Sequence, residues 1–147
     1  MTTIAEVSLA YKATQSVETL PSITSPGEAA DYLRSIWDQD TLELREEFVV
    51  VLLNNAKKVL GWSRISTGGS TATIVEPSAV FQLALLGKAD SIIVAHNHPS
   101  GNLKISSSDS ALTARLTNAG KLLGIVLDDH IILTRGGYLS LRSEGLM

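Results

Sequence analysis

The chain has 147 residues, 44% of them hydrophobic and 18% charged, with a formal charge of −3 and no cysteine. That length suits one domain with a sizeable core, and the acidic balance leaves room for no more than a local basic patch toward nucleic acid. The missing cysteine excludes disulfides, thiol nucleophiles and Cys-ligated zinc, and it fits a reducing compartment. No basic-then-apolar leader opens the chain and no apolar run is long enough to span a bilayer, so a cytoplasmic protein without membrane contact is expected.

In chain order, residues 5–12 alternate as a strand, and the polar residues 13–24 read as a loop or loosely held arm. Ser25-Pro26-Gly27-Glu28 is a capping box with proline at the first helical position. Ala30, Leu33, Ile36 and Trp37 then follow at helical spacing. Residues 1–40 are thus an N-terminal strand, loop and helix that pack on or extend the main unit, residues 41–147. Residues 38–46 are charged and expected to be exposed. Residues 48–53 form a continuous apolar run, a central strand. A turn at Asn54-Asn55-Ala56-Lys57 returns the chain as a hairpin partner over residues 59–66. Residues 68–70 are a further turn, and residues 71–75 are strand-like.

Pro77-Ser78 opens a second helix through Val80, Phe81, Ala84 and Leu85. The β-branched residues 91–96 read as a buried strand. A third helix starts at Ser106, with Leu112, Leu116, Ala119 and Leu123 on one face, and Gly124 ends it as a left-handed cap. Residues 125–127 and 131–133 are short strands, and Gly136-Gly137 turns into a last one at 138–141. The whole is an α/β or α+β layered domain with a mixed sheet. Trp37 and Trp62 read as packing residues, and neither glycine pair has the context of a phosphate loop.

The chemistry concentrates in His96-Asn97-His98-Pro99, followed by Ser106 and Asp109. On a strand, His96 and His98 share a face while Asn97 points away. Catalytic zinc takes three protein ligands and a water, and His96, His98 and Asp109 supply the three. A general base at the edge of the core sheet would then take the water's proton. Glu47, directly before the apolar run, fits that role, with Glu43 and Glu46 as neighbours. Ser106 can hydrogen-bond the oxyanion formed when water adds to a carbonyl. Plainer roles stand beside these. Ser106-Ser107-Ser108-Asp109 is also a capping box, and the two roles are compatible. A His-x-His pair alone is weak evidence for a metal. His130 reads as structural, hydrogen-bonded to a neighbour.

His96-x-His98-Pro99, then Ser106 and Asp109, resembles the JAMM motif of the JAB/MPN metalloprotease family. The wording around it is similar to the RadC branch, as are Asp129-His130-Ile131-Ile132 and Ser143-Glu144-Gly145. The likeness runs from about residue 43 to 147. It implies a three-layer α/β/α, cytidine-deaminase-like fold. It also implies zinc held by His96, His98, Asp109 and a water, a base at Glu47 with Glu46 as fallback, and a stabilising Ser106. The implied reaction is hydrolysis of a peptide or isopeptide bond in a peptide or protein substrate. Ile105 stands where the family often has proline before the serine. Longer members carry a helix-hairpin-helix domain, for which this chain is expected to have no room. The family's DNA-repair label gains little from the acidic balance, and nothing matches the insertions that grip ubiquitin.

The competing function is a binding or assembly module without turnover, in a DNA-repair or mobile-element context. Salt-sensitive DNA affinity or failure to bind metal would favour it. A zinc nucleoside deaminase is excluded in practice by the missing cysteines, and a zincin by the missing His-Glu-x-x-His. An edge strand near the N-terminal arm would be the place for a homodimer contact.

Overall fold

In a computed structural model, the described residues are 5–8, 10, 12, 14–67 and 75–147. Among them a short 3-10 turn (Val17–Thr19) precedes α1 (Pro26–Ile36), β1 (Glu47–Leu53) and β2 (Val59–Thr67). Next come α2 (Pro77–Leu86), β3 (Ser91–Asn97), α3 (Ser107–Leu123), β4 (Val126–Leu133) and β5 (Tyr138–Ser140). The strands form one mixed sheet in the order β2-β1-β3-β4-β5. β3 and β4 pair in parallel and the other neighbours are antiparallel. A parallel pair needs a crossover, and α3 supplies it.

Each face of the sheet carries its own core. Ala29, Leu33 and Trp37 of the α1 region pack on Val49, Val51, Ile93 and Ile131. On the other face, Val80 and Phe81 of α2 and Leu116 of α3 pack on Phe48, Val50, Ile92 and Val94. The result is the expected α/β/α layering, and it explains why β1 and β3 are apolar without alternation. α1 begins as its sequence dictates: Ser25 Oγ accepts the Glu28 amide, while the Glu28 carboxylate turns back to the Thr24 amide and hydroxyl. No helix among the described residues is long and apolar enough to cross a membrane.

Several expectations change. The described residues of the 5–12 segment form no strand, so the arm supplies no pairing edge there. The turn at 68–70 and residues 71–74 lie outside the described residues, and Val75 is not in a strand. Within 38–46, Thr41 and Leu42 are buried rather than exposed. α3 buries Thr113, Leu116 and Gly120, while Leu123 at its end is largely exposed.

The two short strands expected at 125–127 and 131–133 are one strand, β4, interrupted by a bulge. Ile92 pairs with Leu127 but Ile93 pairs with Asp129, so Asp128 is the extra residue. The carboxylate of Asp129 accepts the His130 and Arg142 amides and the Ser140 hydroxyl, which lets a buried acid sit inside a strand. The bulge also resets the alternation. His130 now pairs with Val94 and shares the face of His96, where a regular strand would have turned it toward α1.

Candidate metal centre

Three segments deliver three ligand-type side chains to one point. His96 is the sixth residue of β3 and is almost wholly buried. His98 lies just past the strand, but its amide still donates to the Leu133 carbonyl at 3.0 Å, which continues the parallel ladder and keeps its ring on the His96 side. Asp109 rides on the first turn of α3. There Ser106 Oγ accepts the Asp109 amide and Asp109 Oδ2 accepts the Ser106 amide, both at 3.1 Å. This reciprocal box fixes the carboxylate at the positive end of the helix.

One ligand atom from each of His96, His98 and Asp109 lies within 4.8 Å of the others, an arrangement that could hold a metal ion. The two Nε2 atoms are 2.9 Å apart. Asp109 Oδ1 is 3.4 Å from His96 Nε2, and Oδ2 is 3.7 Å from His98 Nε2. His98 Nδ1 lies 2.5 Å from the Asn102 carbonyl oxygen, which can only accept. The proton of a neutral His98 is therefore on Nδ1, and Nε2 presents a lone pair. Two imidazole nitrogens and a carboxylate so placed call for a cation among them, a proton or a metal. The electrostatics agree. Asp109 raises the His98 imidazole, against the opposing effect of burial. Burial works to raise Asp109 too, yet the His96 and His98 rings hold it far below the usual carboxylate range.

The chain has three histidines, and the third joins the same cluster. His130 is fully buried, with Nε2 2.8 Å from His96 Nδ1 and Nδ1 2.7 Å from Thr113 Oγ1. Burial pushes its imidazole down to about 3. The neighbour expected from sequence is thus His96 itself. Phe48 stacks against the His96 ring at 6.4 Å between centroids and closes the apolar side.

Glu47, the base expected from sequence, faces elsewhere. It belongs to the alternation of Val49 and Val51, opposite to Phe48 and His96. Its buried carboxylate meets Arg64 of β2 and lies 4.0 Å from Arg45 Nε. Glu46 directly precedes β1, where alternation carried one residue further would put it on the Phe48 side, and its charge is among those that raise His98. Asn97 pins this segment. Its Oδ1 accepts the Glu47 amide at 2.7 Å, and its Nδ2 donates to the carbonyls of Leu42 and Arg45 at 2.7 and 2.9 Å. One buried amide thereby clamps the peptide groups on both sides of Glu46. Sequence reasoning did not single out Thr113, Asn97 or Arg64. For Thr113 a signal exists: it is one helical turn beyond Asp109 and so on the same face.

The fold and this cluster define an α/β/α domain with a His-His-Asp group of metal-binding type. The chain belongs to the RadC-like JAB domain family, which matches residues 23–146 and so takes in α1. It is 41% identical over 138 residues to a UPF0758 protein of Clostridium acetobutylicum, a match covering 94% of this chain and 57% of that protein. It is 40% identical over 108 residues to one of Thermotoga maritima, covering 73% and 49%. A third, of Methanosarcina acetivorans, is 42% identical over 103 residues, covering 70% and 45%. The chain spans about half the length of these relatives.

Proposed function

We propose that this domain is a zinc-dependent metallopeptidase or isopeptidase. The observation that carries this reading is the convergence of His96, His98 and Asp109. Two imidazoles and a carboxylate suit zinc, and three protein ligands are the complement of a catalytic rather than a structural site. When bound, zinc supplies Lewis acidity toward a carbonyl oxygen and lowers the pKa of water.

The chain's own residues supply the rest. Glu46 accepts the proton of the attacking water and delivers it to the departing nitrogen. It replaces Glu47, whose carboxylate is committed to Arg64 on the far face. Ser106 Oγ accepts the Asp109 amide and lies 3.0 Å from Ser108 Oγ; with Ser108 as the donor of that pair, the Ser106 hydroxyl proton serves the carbonyl oxygen as that oxygen gains charge. A groove of about 400 Å³ is lined by Glu43, by Pro99, Gly101 and Leu103 of the loop that follows His98 in sequence, and by residues 134–137. It suits an extended peptide segment.

The test pairs zinc content with cleavage of a peptide library read by mass spectrometry. Glu46→Gln should keep zinc and lose turnover, while Glu47→Gln should keep turnover wherever it folds. Loss of zinc in Glu46→Gln would make that residue a ligand instead. A wild type that holds zinc but cleaves no peptide or isopeptide would favour the binding-module function.

A further inference from the structure

We propose that Thr113 and His130 form a relay that fixes the tautomer of His96, holding its Nε2 as an open lone pair toward Asp109 and His98. This rests on the metal-centre reading above. Both are positioning residues, since neither would touch the metal or a substrate.

The chain of hydrogen bonds allows two proton arrangements, and the Thr113–Asp109 distance separates them: the Nε2 atoms of His96 and His98, 2.9 Å apart, can share a metal in place of a proton, whereas that oxygen pair has no such substitute. Thr113 Oγ1 lies 2.7 Å from the Asp109 carbonyl oxygen and 2.7 Å from His130 Nδ1. A hydroxyl has one proton. Two oxygens at 2.7 Å need a proton between them, and the carbonyl has none, so Thr113 donates to Asp109. His130 must then donate from Nδ1 to Thr113. With that proton on Nδ1, a neutral His130 meets His96 with a bare Nε2. At 2.8 Å, His96 Nδ1 is the donor. The proton of a neutral His96 is thereby on Nδ1 and its Nε2 is bare, facing Asp109 Oδ1 at 3.4 Å.

The opposite arrangement runs Thr113 to His130 to His96. It would put a proton on His96 Nε2, where a metal would have to bind, and would leave the 2.7 Å oxygen pair with no proton. The relay also depends on the β4 bulge, because only the reset alternation brings His130 to this face. Thr113 thus ties both ligand segments together: it holds the backbone of Asp109 directly and the ring of His96 through His130.

The direct test is nitrogen-15 NMR of the imidazoles in the full chain, metal-free in alkaline buffer and then zinc-loaded. Zinc affinity by chelator competition accompanies it, for wild type, Thr113→Val and Thr113→Ser. We expect His130 to carry its single proton on Nδ1 in both states. Thr113→Val removes the acceptor, should move that proton to Nε2, and should weaken zinc binding about 10- to 100-fold. Thr113→Ser should restore both. A wild-type His130 protonated at Nε2, or a folded Thr113→Val that binds zinc as wild type does, overturns the relay. If Thr113→Val does not fold, the wild-type spectrum decides. If the wild type binds no zinc, the metal-centre reading fails, while the metal-free spectrum still decides the tautomer.

Discussion

Asn97 shows how much of this site depends on a residue that faces away from it. The histidines on either side point to one face of the sheet, and the amide between them clamps the Glu46 segment on the other. Asn97→Ala removes three hydrogen bonds, two of them buried, and should cost roughly 2–4 kcal/mol in denaturant unfolding. Glu47→Gln should destabilise by about 1–3 kcal/mol, because it leaves the Arg64 guanidinium with a weaker partner. These two stability losses, set beside the stable but inactive Glu46→Gln that the proposed function predicts, would separate the structural acid from the proposed base. Metal binding should also titrate. Asp109 raises His98, so below that raised value a proton occupies His98 Nε2 and zinc must displace it. Zinc affinity should therefore fall toward acid by up to about tenfold per pH unit and level off above the His98 value, as a competition titration at several pH values would record.

At the scale of elements, the site is held by the start of α3 and the end of β3. Ser106→Ala removes the cap, should cost about 1 kcal/mol in thermal unfolding, and should weaken zinc as the Asp109 backbone loses the Ser106 Oγ that accepts its amide. α3 is also seated tightly at its far end. A Cβ on Gly120 would come within 2.2 Å of the Ile125 carbonyl oxygen, which the Gly120–Ile125 turn brings close. Gly120→Ala should force the helix end away from β4 and cost about 1–3 kcal/mol, lowering the melting temperature measurably. The elements around the motif were legible because local signals agree there: β-branched runs for β1 and β3, a Ser-x-x-Asp box and a terminal glycine for α3. The bulge in β4 was not legible. Asp128-Asp129 in the middle of an apolar stretch looks like a break, and only the partners that Asp129 finds beyond its own strand, Ser140 and Arg142, reveal one continuous strand.

At the scale of the molecule, a mixed sheet buried on both faces gives a rigid floor for a site built at its rim. The grouping of His96, His98 and Asp109 could be read from spacing because two periodicities, two on a strand and a capped helix start, converge on it. Which glutamate faces the histidines could not. Glu46 and Glu47 are adjacent, and one residue of register decides the face. His130 is distant in sequence and needs both the bulge and the parallel pairing of β3 with β4 to reach His96.

The most direct measurement is metal content of the untagged chain by elemental mass spectrometry, with His98→Ala in parallel. We expect about one zinc per chain, as three protein ligands imply, and its loss in the variant. Wild-type protein that holds no zinc after refolding with the metal and dialysis, or a His98→Ala variant that retains it, would contradict the metal centre.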